Sequence, residues 1–407
     1  MSVLCRLWIA VLAASLAGCG GGAYDFYWAS RNVDTTDNQA GNSTAPALAT
    51  LSNGDLAMAW QFLSTDGKVS AVRLQRFDAN GARIGSEKTI NRSSLARAGR
   101  PGIAPLNDGG YVVAWITPDY AGLYAQRFDA ADNRVGDERR VSSLALDAPS
   151  EFGVSALNDG GYLFAWVASD GSVYSRRFHD VGDPEAETRL DPLESTARSA
   201  FVAGLGDGGW VITWTHLRPY GGGIADVYAQ RFDADGGKRD RQFTVNATAA
   251  ALQSVAGIAG LRSGRYVVVW AVQAAQVSSS PGAGVYAQCF DAAGGRVQPQ
   301  TLVKAATDRQ QARPVVGALK DGGYLVAWES LPASGSDWDV YAQRFDAGAR
   351  GSGGAMLVKP NGSAGNQQQV AVAGADDGGY TLAWTSTIQG STSTIDMARY
   401  DANNRLR

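Results

Sequence analysis

The 407-residue sequence has little of the material from which most catalytic and metal centres are built. It contains two histidines, three cysteines and four methionines. The histidines, His179 and His216, are too few and too far apart for a histidine-rich metal centre. A Ser/His/Asp triad would need His216 to meet a serine from another loop with an acid behind it, and no motif marks such a grouping. Charge is also scarce. Charged residues make up 18% of the chain, against a usual value of about 25%. With 36 Lys+Arg against 39 Asp+Glu, the formal net charge is −3. That balance provides no basic footprint for nucleic acid, which is therefore not expected as a partner. Outside the first residues no segment shows a 3.6-residue apolar period. Glycine loops between a strand and a helix, which cradle nucleotides, are thereby excluded, and no cofactor is expected. No later apolar run approaches the roughly 20 residues of a membrane-spanning helix.

Glycine is abundant, at 50 residues, alongside 11 Trp and 15 Tyr. Hydrophobic residues reach 45%, so the chain is not a disordered polymer. Turn formers, aromatics and few charges together indicate many short strands.

The first residues read as an address. Arg6 is the only charge before Asp25, and the apolar run Leu7 to Ala14 follows it. A basic start, a short apolar core and small residues after it describe a secretory signal. The core ends in Leu16-Ala17-Gly18-Cys19, then Gly20-Gly21-Gly22. Leu-Ala-Gly-Cys at this place resembles the lipobox of bacterial lipoproteins. The resemblance implies cleavage before Cys19 and acylation of Cys19 with diacylglycerol and an N-acyl chain. Such chains hold a protein durably at a membrane. Gly20 stands where an Asp would retain such proteins in the inner membrane of enteric-type bacteria, so the outer membrane is implied. The expected organisation is a signal peptide over 1–18, a lipidated Cys and tether over 19–23, and one domain over 24–407. Cys5 leaves with the signal and Cys19 carries lipid. Cys289 is then alone, which excludes an intramolecular disulfide.

The rest is one unit repeated. The phrase Leu106-Asn107-Asp108-Gly109-Gly110-Tyr111-Val112-Val113-Ala114-Trp115 recurs about every 50 residues. Its closing tryptophans are Trp60, Trp115, Trp166, Trp214, Trp270, Trp328 and Trp384. A second phrase follows each, as Tyr124-Ala125-Gln126-Arg127-Phe128-Asp129. Each unit carries four strand signals, A to D. Strand A precedes the Asp-Gly hairpin turn, strand B ends at the Trp, strand C is the Tyr-Ala-Gln-Arg-Phe run and strand D follows a Gly/Asn turn. Strand B is apolar on both alternating sets, as a sheet packed between two neighbours requires. Seven such units predict an all-β, seven-bladed β-propeller of four-stranded antiparallel blades. The last unit lacks a strand D after Met397 to Asp401, whereas an extra strand-like run, Phe26 to Val33, precedes the first. The N-terminal strand is therefore expected to complete the last blade and close the ring. The two phrases resemble repeats in large bacterial secreted and surface proteins, some with calcium-binding RTX tails. The resemblance covers nearly all of the mature chain. It implies a propeller outside the cytoplasm and no particular reaction. The RTX nonapeptides are absent, so their calcium sites do not carry over.

Functional candidates lie at one end of the ring. The B–C loops vary most in length, and binding usually resides in variable loops on a rigid scaffold. The position six residues before the Leu of each A–B turn reads Ala45, Arg100, Glu151, Ser199, Val255, Arg313 and Gln369. Arg97, Arg198, Arg309 and Gln253 lie nearby. If these ring one mouth, Arg97, Arg100, Arg198 and Arg313 converge with Glu151 as candidate ligand-binding residues. Arginine forks suit carboxylates, phosphates and acidic sugars. Tyr220 and Trp338 are further aromatics near loops. The Asp-rich turns at Asp78 and Asp233 supply too few oxygens for calcium, and no metal is expected.

Three functions are compatible with this pattern. The first is a lipid-anchored envelope scaffold that holds a protein partner on its B–C/D–A loop face. The second is a glycan- or small-anion-binding lipoprotein. The third is a hydrolase or lyase at the axial mouth. A broad apolar patch would favour the first. Clustered aromatics and arginines at the mouth would favour the second, and a close carboxylate pair the third.

Overall fold

The computed structural model describes residues 31–33, 41–92, 99–117, 121–147, 151–180, 184–190, 197–217, 225–247, 253–272, 283–306, 309–332, 335–358, 365–388 and 392–407. The expected signal peptide, Cys19 and most of the run 26–33 lie outside them. The described residues form seven four-stranded antiparallel sheets and no helix. Blade 2 is representative. Its strands A to D are Gly99–Pro105, Tyr111–Ile116, Leu123–Phe128 and Arg134–Arg140.

The alternation of strand B sets the packing. Tyr111, Val113 and Trp115 join Ala57, Ala59 and Val72 of blade 1 in one buried cluster. Val112, Ala114 and Ile116 join Phe164 and Trp166 of blade 3 in another. Each sheet is thus the core of two interfaces, and all seven repeat tryptophans are fully buried. Aromatic pairs cross from strand B to strand C, as where Tyr111 stacks on Phe128 at 5.1 Å and Trp328 on Tyr341 at 6.1 Å.

The polar letters of the repeat have separate structural roles. In the A–B turn the first glycine adopts a left-handed backbone, with φ 87° at Gly109. At the second, Gly110, a Cβ would collide with the carbonyl oxygen of Phe128. The turn aspartate, Asp108, accepts the Gly110 N–H at 2.8 Å and pairs with Arg127 at 2.7 Å. Arg127 also donates to the Asp180 carbonyl of blade 3, at 2.6 Å, and so staples adjacent blades. Gln126 donates to the carbonyls of Arg127, Val135 and Gly136, where the C–D register shifts. Blade 5 departs from this pattern. Cys289, buried, replaces the arginine. Arg265 of the A–B turn donates instead to the Ala347 carbonyl of blade 6, at 2.6 Å. The donor in this blade comes from the A–B turn and not from strand C.

The ring closes in blade 7 through a composite outer strand. Leu406 bridges Tyr400, and the Arg407 N–H donates to the Arg399 carbonyl at 2.9 Å. Further along the same edge, Arg31 pairs with Met397 and Asn32 with Asp396. The Val33 N–H continues the ladder to Ile395 at 2.8 Å, and the Val33 side chain is buried. The C-terminal tail therefore begins the strand that the N-terminal segment finishes. Arg83 of blade 1 donates to the Val33 carbonyl and ties the closure to the next blade.

Deleting residues 24–33 removes this half-strand and the burial of Val33, a side-chain contribution of about 1.5–3 kcal/mol. The expected outcome is a melting temperature lower by several degrees in thermal denaturation. An unchanged melting temperature would contradict closure by this segment.

Candidate functional site at the axial mouth

Strand A of each blade lines the axis, and its first residues surround the opening on the B–C/D–A face. There a register shift interrupts the A–B ladder in six blades, for example between Gly99 and Gly102 and between Ala312 and Val315. The residue inside the bulge is left-handed although it is not glycine: Ala45, Arg100, Ser199, Arg313 and Gln369 have φ between 43° and 56°. Such backbone is costly for L-residues and clusters at functional sites. Neighbouring blades hold it in place. The Gln369 N–H donates to Glu329 of blade 6 at 2.6 Å. The Ala45 N–H donates to Gln369 at 2.9 Å and to Thr385 at 3.1 Å.

The bulges bring the ring position together around one cavity of about 440 Å³. Ala45, Arg100, Glu151, Ser199, Arg313 and Gln369 all line it, with Phe152, Phe201 and Glu329. Arg100 meets Glu151 of blade 3 at 3.4 Å, and both side chains remain more than a third exposed. Arg313 stands 3.8 Å from Glu329 and is half exposed. Glu329 is buried. That burial raises its pKa above the ordinary carboxylate range, although the Gln369 N–H and Arg313 act in the opposite sense.

The other candidates fall elsewhere. Arg198 does not line the cavity. One residue before the bulged Ser199, it pairs with Asp147 of the preceding connection. Arg97, the Arg309 side chain and Tyr220 lie outside the described residues. Trp338 is half-buried at the seam with blade 7, where its N–H donates to Asn366 at 2.9 Å. His179 lies in an exposed turn, 3.1 Å from Glu185. Strand B of blade 4 runs through His216, Trp210–Leu217, and the buried ring packs edge-on against Tyr228 at 5.7 Å, so His216 stands in a strand and not in a loop. Asp78 and Asp233 accept N–H groups of their own turns. Among the described residues no group of three or more His, Cys, Asp or Glu is placed to hold a metal ion.

Glu329 is the site residue that the repeat alignment did not single out. It follows the repeat tryptophan of blade 6, where the other blades have Gln61, Ile116, Val167, Thr215, Ala271 and Thr385. A single acid in an otherwise neutral column was the available signal.

No protein-family model matches the chain, and no curated protein sequence matches it. Solved structures do resemble it. The β-propeller domain of the Trilobed protease from Pyrococcus furiosus, described as having an open velcro topology, aligns with TM-score 0.52 at 8% identity, over 91% of this chain and 96% of that one. A protein of unknown function from Dyadobacter fermentans aligns with TM-score 0.50 at 12% identity, over 91% and 98%. The acylaminoacyl peptidase of Pyrococcus horikoshii aligns with TM-score 0.52 at 11% identity, over 90% of this chain but 52% of its own. This chain thus spans about half the length of that peptidase. At these identities the likeness shows the propeller fold alone.

Proposed function

We propose that this protein is a lipid-anchored propeller of the bacterial cell envelope that binds a small sugar or anionic ligand in its axial mouth. The carrying observation is the mixed lining of the 440 Å³ cavity, which holds both Arg100 and Arg313 and both Phe152 and Phe201. That volume falls within the roughly 300–1,000 Å³ of small-ligand sites. The scaffold reading called for a broad apolar face. Among the described residues the exposed large apolar side chains are Val69, Ile84, Val135, Leu144, Leu302, Leu357, Ile388 and Leu406. Val69, Leu144 and Ile388 belong to the B–C/D–A face, each in a different connection, and the others lie on outer strands or in the last residues of the chain. Scattered apolar residues of this kind are ordinary surface.

The address supports the setting. Leu16 to Cys19 follows a basic start and an apolar core, and the small residues 20–23 provide a tether. Outer-membrane attachment through Cys19 would hold the propeller at the envelope, with its mouth open to passing solutes.

Two experiments test this reading. Cys19→Ser is expected to move the protein from the membrane fraction to the soluble fraction; persistence in membranes would count against the anchor. Ser199→Trp places an indole in the mouth without touching the arginines. With the melting temperature preserved, it is expected to abolish the adducts seen by native mass spectrometry after exposure to low-mass envelope solutes. Undiminished adducts would remove the mouth as the binding site.

A further inference from the structure

We infer that the ligand of the axial mouth is a sugar acid of one or two rings. Its carboxylate groups would be taken by the guanidinium groups of Arg100 and Arg313, and its apolar ring face by Phe152 and Phe201. The inference rests on the small-ligand reading above and specifies its chemistry.

The first support is the looseness with which the mouth arginines are held. A guanidinium offers five N–H donors, and charge-assisted bonds ordinarily lie at about 2.7–2.9 Å. The structural arginines of the repeat reach that range or pass below it: Arg177 meets Asp159 at 2.6 Å, and Arg344 meets Asp321 at 2.7 Å. Arg100 meets Glu151 only at 3.4 Å, and Arg313 stands 3.8 Å from Glu329, beyond hydrogen-bond range. Both are substantially exposed, whereas Arg177 and Arg344 are buried or nearly so. A ligand carboxylate with fork geometry can therefore form bonds that the protein's own carboxylates leave unmade.

The second support is the pairing of chemistries. Phe152 and Phe201 offer flat apolar surface. Ser199, Gln369 and Glu151 line the same cavity and offer donors and acceptors for hydroxyl groups. A bare inorganic anion would leave the aromatic surface unused. A neutral apolar molecule would leave two guanidinium groups without ligand partners. A sugar acid uses the whole lining. The third support is the backbone. Arg100 and Arg313 hold the same left-handed conformation, φ 44° each, inside A–B bulges, and both line the cavity.

The test is isothermal titration of the mature chain with digalacturonate, with its neutral counterpart galactobiose, and with acetate. Digalacturonate is expected to bind at least tenfold more tightly than either of the others. Arg100→Gln combined with Arg313→Gln is expected to lower that affinity at least tenfold and to leave galactobiose binding unchanged. Phe152→Leu is expected to weaken both sugars. Equal affinity for the two sugars would overturn the acidic assignment and leave the small-ligand reading standing. Acetate binding as tight as digalacturonate would overturn the sugar assignment. No heat from any of the three, with the wild-type melting temperature intact, would also overturn the inference. The Ser199→Trp experiment then decides separately whether the mouth binds small solutes at all.

Discussion

Everything in this molecule follows from the burial of strand B on both faces. Trp115 looks into blade 1 and Ile116 into blade 3, so no blade can complete its core without both neighbours. A stack with that property must end in caps or close on itself. Closure is the solution adopted, and it explains the composite outer strand of blade 7, where Leu406 and Arg407 begin what Arg31 to Val33 complete. It also explains the arginine staple. Arg76, Arg127, Arg231 and Arg344 each donate to a carbonyl of the next blade. In blade 5, where Cys289 stands at that position, Arg265 donates to the same kind of carbonyl.

A division of labour results. The tryptophan that recurs in every unit, and the turn glycines, the glutamine at the C–D bulge and the arginine that recur in most, serve the ring. In five blades the position within the strand A bulge keeps its left-handed backbone but not its side chain, reading Ala45, Arg100, Ser199, Arg313 and Gln369. The scaffold constrains the main chain there and leaves the side chain free to differ. A binding surface can be composed from such positions without disturbing the fold.

Much of the fold was readable because its signals are local and repeated. Period-2 alternation with both sets apolar marked strand B, and the Asp-Gly-Gly turn marked the hairpin. Alignment of the units also located Arg100, Glu151 and Arg313 at one mouth. What escaped reading was set by non-local geometry. Adjacent residues Arg198 and Ser199 diverge because Ser199 is the extra residue of the bulge, which breaks the simple alternation. Glu329 came into the site from strand B, and the ring alignment was drawn only on strand A. His216 continues a strand because cross-strand pairing with Asp226 extends the sheet into what sequence alone reads as a loop. The share of the C-terminal tail in the closing strand could not be seen from a unit that stops short.

The central claim is that repeated arginines maintain the ring and the mouth arginines do not. Thermal unfolding of Arg344→Gln beside Arg313→Gln tests it most directly. Arg344 is buried and bonded to Asp321 and to the Gly378 carbonyl of the next blade. Its loss removes a charge-assisted hydrogen bond and one to a carbonyl, at a cost of about 1.5–3 kcal/mol. The account predicts a melting temperature several degrees lower for Arg344→Gln and one within a degree of wild type for Arg313→Gln. Equal destabilisation by the two substitutions would contradict it.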